Sequence, residues 1–237
     1  VWTTPTRSVL ERRFDMPPSP AIWLKAIIRD SEPPDIDESE LWINPTTGEI
    51  KLRNASDVGF VVVGGANGVE VIEEQIVGVA GASSVSFLAI PATWRDLEIR
   101  YVARCDNAAA QGLLMRFNGD SGANYDYEIV QATDAAINFV GAGVGQTSMQ
   151  IGRLNPSGAP AGSMSTGDIV MPFYSTATQD KGALGRIHSL DAAATGFVYL
   201  NSGGTWRTSS APISQIDLFP GAGNFVENSR FVLRGIL

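Results

Sequence analysis

The chain has 237 residues, 44% hydrophobic and 18% charged, enough apolar material for one sizeable domain plus an arm, or for two small domains. Its formal net charge of −8 opposes nucleic-acid backbones and anionic membrane surfaces as partners, and no basic run offsets it. A single cysteine, Cys105, excludes an intrachain disulfide framework and a cysteine-based zinc site, and no apolar run is long enough for a membrane-spanning helix.

Residues 1–34 read as a proline-punctuated arm. Its start, Val1-Trp2-Thr3-Thr4-Pro5-Thr6-Arg7, lacks the charged opening and apolar core of a secretion signal, so assembly inside a cell is expected. Ser19-Pro20 has the residue types that open a helix. Ala21 to Ile28 is apolar on too many sides for a free surface helix and reads as an anchor, helical or extended, buried against a neighbour. Trp2, Trp23 and Ile27 are its candidate contact residues. Asp30, Glu32, Asp35, Asp37, Glu38 and Glu40, around Pro33-Pro34, read as a solvated, extended connector.

Leu41 to Arg53 reads as a two-stranded ribbon. Leu41 and Ile43 alternate with polar partners, Pro45-Thr46-Thr47-Gly48 supplies turn chemistry, and Ile50 and Leu52 resume the alternation. An isolated hairpin is marginal in water, so Leu41, Trp42, Ile43, Ile50 and Leu52 are expected to be covered by sister copies or a larger assembly. A Val61-Val62-Val63 strand follows. Gly64-Gly65-Ala66-Asn67-Gly68 then marks a boundary between residues 1–67, an anchoring and oligomerising segment, and residues 68–237.

Beyond the boundary, strand signals recur with short gaps, and 25 glycines and 13 prolines favour many turns. The clearest alternation is Arg95 to Cys105, with Leu97, Ile99, Tyr101 and Cys105 opposite Asp96, Glu98, Arg100 and Arg104. Cys105 on that apolar face reads as a small buried hydrophobe. Leu113, Met115 and Phe117 define the next strand, and Tyr125, Tyr127 and Ile129 the one after, with an Asn118-Gly119-Asp120-Ser121-Gly122 turn between them. Gly141 to Gly145 reads as a flexible loop. Met149 to Leu154, Ile169 to Tyr174, Leu184 to Leu190, Gly196 to Leu200, Ile213 to Phe219 and Arg230 to Leu237 complete the series. The fold class expected is all-β: an antiparallel β-sandwich or jelly roll with an extended N-terminal arm and a short β-hairpin stem.

Four blocks in order carry a resemblance. They are Ile90-Pro91-Ala92-Thr93-Trp94-Arg95-Asp96-Leu97-Glu98-Ile99; Leu114 to Tyr125, around Asn118-Gly119-Asp120; Ile216-Asp217-Leu218-Phe219 with Gly223-Asn224-Phe225; and Ser229 to Ile236. Together they resemble a β-sandwich domain of tailed-bacteriophage virion proteins. The Leu41 to Lys51 ribbon resembles an element of phage fibres and spikes that precedes a trimeric stem or head domain. The resemblance implies a structural virion component such as a tail fibre, baseplate appendage or head fibre. A homo-oligomer is expected, a trimer by preference because three ribbons around an axis can bury one another's apolar faces, with other virion proteins held through the arm. The alternative it leaves open is a receptor-binding lectin that recognises host surface glycans.

No enzymatic constellation stands out. His188, the single histidine, lies in an expected strand with no nucleophile elbow near it. Asp126 and Glu128 sit too close along one strand for an inverting glycosidase pair. Asn118, Asp120, Asn124 and Asp126 offer oxygen ligands to calcium, but turn chemistry explains them equally, and no cofactor or metal is expected. Trp206, in the polar Asn201 to Ser210 segment and followed by Arg207, has three readings: packing under its own loop, an oligomer contact, or a platform for a sugar ring.

Overall fold

The computed structural model describes residues 8–14, 22–28, 40–43, 50–53, 60–64, 68–133, 136–160, 162–190, 196–207 and 211–237, with side chains from residue 68 onward except 138–140. The chain divides into two compact units, Val1–Gly68 and Val69–Leu237.

The first unit is one five-stranded sheet in the order β1 (Ser8–Phe14), β2 (Ile22–Ile28), β3 (Glu40–Ile43), β4 (Ile50–Arg53), β5 (Phe60–Gly64). The segment left open between helix and extended chain, Ala21 to Ile28, is strand from Ile22 onward. The expected ribbon is present, with Leu41 opposite Leu52 and Ile43 opposite Ile50. It is not isolated, and that expectation is corrected. β2 pairs in parallel with β3, and β5 pairs antiparallel with β4, so both ribbon edges are satisfied from the same chain. Register brings Leu10, Ala26, Leu41, Leu52 and Val61 into one cross-strand row, and Val9, Ile27, Trp42, Lys51 and Val62 into the next.

The second unit is an antiparallel β-sandwich, with no helix among its described residues. Its strands are β6 (Val69–Ile76), β7 (Val85–Phe87), β8 (Asp96–Ala103), β9 (Gln111–Phe117), β10 (Tyr125–Thr133) and β11 (Ala136–Gln146). They continue with β12 (Met149–Leu154), β13 (Ser165–Pro172), β14 (Lys181–Leu190), β15 (Phe197–Trp206), β16 (Ile216–Pro220) and β17 (Arg230–Ile236). An eight-stranded sheet runs β11-β10-β15-β14-β13-β8-β17-β6 and a four-stranded sheet runs β12-β9-β16-β7.

The two-residue period decides what lies between the sheets. β8 buries Leu97, Ile99, Tyr101 and Ala103, β9 buries Leu113, Met115 and Phe117, and β17 buries Phe231 and Leu233. Phe231 lies edge-on to Phe225 at 4.9 Å and stacks on Tyr101 at 6.0 Å. Cys105 is fully buried, and its thiol donates to the Asn155 carbonyl at 3.3 Å.

Two segments expected as loops are strand. Gly141 to Gly145 belongs to β11, paired with β10 through Tyr127 and Gly143. The Tyr127 ring occupies the place of a side chain at Gly143, so glycine here makes room rather than a turn. Asn201 to Trp206 belongs to β15, where Gly204 admits the Met149 sulfur.

The sheets come closest where β12 crosses β14 and β15. Ser202 Oγ donates to the Ile151 carbonyl at 2.7 Å, and a Cβ at Gly185 would stand 2.7 Å from that hydroxyl and closer still to the carbonyl. Trp94 lies in the same way over Gly235. Arg104 holds the 156–160 loop through the carbonyls of Pro156 (3.1 Å), Ala159 (2.9 Å), Pro160 (3.3 Å) and Ser157.

Gly185→Ala is therefore expected to destabilise the sandwich by about 1–3 kcal/mol, because neither backbone can retreat. Gly158→Ala, where a new Cβ meets nothing within 4 Å, should stay within about 0.5 kcal/mol. Denaturant unfolding of the two variants checks the contrast.

Candidate functional site

Burial alternates along β14: Ala183, Gly185, Ile187 and Ser189 face the core, while Leu184, Arg186 and His188 face outward. The same alternation in β8, β13 and β15 puts two rows on the outer face of the large sheet. Tyr199, His188, Thr166 and Val102 form one row. Asn201, Arg186, Asp168 and Arg100 form the next. Between them lies an open groove of about 500 Å³ lined by Arg100, Thr166, Asp168, Arg186, His188 and Tyr199.

The charged row is ordered by ion pairs. Arg186 Nε and Nη2 donate to Asp168 Oδ2 at 3.1 and 2.9 Å, which pushes the Arg186 pKa up. Arg100 Nε donates to Glu98 Oε1 at 3.2 Å, and Arg234 Nη1 to Glu98 Oε2 at 3.1 Å. The Arg186 and Arg100 side chains remain 66% and 64% exposed, so these pairs orient the guanidinium groups more than they stabilise the fold. The aromatic row is ordered by stacking. The His188 ring lies on Phe197 at 4.5 Å and 23°. Tyr199 is 39% exposed, and its hydroxyl donates to Asn201 Oδ1 at 3.2 Å.

Among the described residues, no hydroxyl or thiol is hydrogen-bonded to His188. The buried hydroxyls of Ser165 and Ser189 are committed to Asn155 Oδ1, at 3.0 and 2.9 Å. Asp126 takes the Gly145 amide at 2.8 Å and pairs with Arg207 at 3.1 Å.

The reading of Trp206 as a sugar platform is corrected. Trp206 ends β15 and is only 3% exposed, stacked on Tyr125 and tilted against Phe117. Its indole N–H donates to Asp120 Oδ2 at 2.7 Å. Arg207, next in sequence, is exposed, while the strand alternation turns the Trp206 ring inward. Arg207 stays on the surface, donating to the Ala123 carbonyl at 3.2 Å and pairing with Asp126.

The side-chain oxygens of Asn118, Asp120 and Asp126, weighed for calcium, each accept hydrogen bonds within the protein. Asp120 also accepts from the Gly122 amide (2.7 Å) and Asn124 Nδ2 (2.9 Å). Asn118, at φ 51, accepts the amides of Ser214 and Gln215 at 2.8 and 3.0 Å. Among the described residues no cluster of three or more His, Cys, Asp or Glu is placed to hold a metal ion.

Of the anchoring residues expected in the first unit, Trp2 lies outside the described residues. Register places Trp23 opposite Arg13, Ile27 opposite Trp42, Leu41 opposite Leu52, and Ile43 between Ile28 and Ile50. The groove, by contrast, was missed in the sequence. Its signal was available strand by strand, in polar residues at the outward positions of Gly185-Arg186-Ile187-His188. The pairing that gathers four strands was not. In comparisons with family models, with curated proteins and with solved structures, nothing matches this chain.

Two outcomes follow from the Trp206–Asp120 contact. Trp206→Ala should cost about 3–5 kcal/mol of stability, as for a large buried aromatic, measured by equilibrium unfolding. The indole, then Asn124 and the Gly122 amide, hold the Asp120 carboxyl below its usual range. A group depressed in the folded state adds stability above its unfolded pKa of about 3.9, and that stability is lost as pH falls through the folded value. Thermal unfolding between neutral pH and strong acid should therefore show a shallower acid loss for Asp120→Asn than for the unaltered chain.

Proposed function

We propose that this protein is a structural component of a bacteriophage virion appendage, a fibre, baseplate or head-decoration element. Residues 1–67 attach and oligomerise, and residues 68–237 form the projecting β-sandwich. The observation that carries this reading is the apolar row Leu10, Ala26, Leu41, Leu52 and Val61 across a single five-stranded sheet. A sheet of such residues is stable only against a second layer, and the described residues of the first unit contain none. Sister copies around an axis, a trimer by preference, or other virion proteins supply that layer. The resemblance of the sandwich blocks and the ribbon to phage virion proteins points the same way. In this role the chain builds and binds, with no catalytic step of its own, and resides in the particle after assembly in the host cytoplasm.

A second reading, recognition of host surface glycans, is favoured by the exposed Tyr199 and the Phe197–His188 stack beside the Arg–Asp row. It moves the glycan site from Trp206 to the outer face of the large sheet.

Light scattering of the intact chain during gel filtration should report an oligomer. Replacing Leu41 and Leu52 with Asp in that chain should dissociate it and leave the sandwich folded. A monomeric unaltered chain whose first unit is folded would contradict the structural role.

A further inference from the structure

We propose that the groove on the outer face of β13, β14, β15 and β8 binds a carboxylated sugar chain, with Tyr199 stacking under a pyranose ring and Arg186 and Arg100 receiving carboxylates. The proposal rests on the glycan-binding reading and gives it a site and a ligand class.

Three features of the groove select this ligand. The first is its mixture of surfaces. The exposed Tyr199 ring offers an apolar plane to the C–H face of a sugar, while Asn201, Thr166 and Asp168 offer hydrogen-bonding groups to its hydroxyls. The second is charge. The lining carries two guanidinium groups against one carboxylate, in a chain whose net charge is −8. Glu98, facing Arg100, is balanced in turn by Arg234, so the local cation excess persists. An arginine already held in plane by Asp168 meets a second carboxylate without losing further side-chain freedom. The third is shape. From β15 to β8 the rows cross three interstrand spacings, roughly 14 Å, enough for a short run of sugar rings lying flat. A nucleic acid, charged at every step, would be repelled by the rest of the surface. A polymer with one carboxylate per disaccharide brings only as much charge as the groove can match.

The test is isothermal titration of the full chain with two probes, a uronic-acid oligosaccharide and a sialylated oligosaccharide, each also in carboxyl-reduced form. At least one acidic probe should bind, with affinity falling about tenfold on carboxyl reduction and about tenfold in Arg186→Gln and in Tyr199→Ala, a factor worth about 1.4 kcal/mol. Both side chains lie on a solvent-facing sheet surface, so the variants should keep the unaltered melting temperature, which is measured alongside. Equal binding of reduced and acidic forms overturns the proposal, as does binding indifferent to both substitutions. Failure of both acidic probes to bind at millimolar concentration also overturns it. The oligomeric state of the chain is read separately, so loss of this site leaves the structural role standing.

Discussion

The close crossing of β12 over β14 and β15 is the contact on which the second unit depends. There the Ser202 hydroxyl reaches across the interior to the Ile151 carbonyl, and Gly185 lets the two backbones meet without a side chain between them. A buried carbonyl that lost this donor would cost more than the bond itself contributes, because no water can replace it. The contact also fixes register. A slip of one residue in β14 would bring Arg186 into the core and put Ile187 in water, and the same slip in β15 would do so for Asn201 and Leu200.

Interior and exterior are thus one decision. Gly185 precedes Arg186, and Ser202 follows Asn201, so whatever holds the inner residues in place also aims the outer row. Asp168 and Arg100 join that row because β13 and β8 pair at the matching step. The groove needs no loop to build it. It is held on the central strands of the larger sheet, the most constrained part of the unit, which suits a site that must present a flat, prearranged surface.

Strands with one buried face were legible in the sequence. In β8, β9 and β17 the alternation of large apolar residues with their neighbours announces the burial that the structure contains. Glycine misled the reading. Gly141 to Gly145 and Gly203-Gly204 look like punctuation, yet both segments lie in strands, where the Tyr127 ring takes up the space of a side chain at Gly143 and the Met149 sulfur does so at Gly204. Trp206 misled it for another reason. Its partner Asp120 is 86 residues away, and no local pattern shows that the indole has an acceptor waiting. The ribbon was found, but its neighbours β2 and β5 were not assigned to its edges, since parallel pairing between β2 and β3 has no short-range signature. The groove stayed hidden because Tyr199, His188, Arg186, Asp168 and Arg100 come from four strands.

Native-state hydrogen exchange tests the dependence on the β12 crossing most directly. The amides of Ile187 and Leu200, in central strands beneath the groove, should exchange only through global unfolding, whereas those along the outer edge of β11 should exchange far faster. Exchange of Ile187 and Leu200 at rates matching the β11 edge would show that the crossing does not pin these strands, and the account would fail.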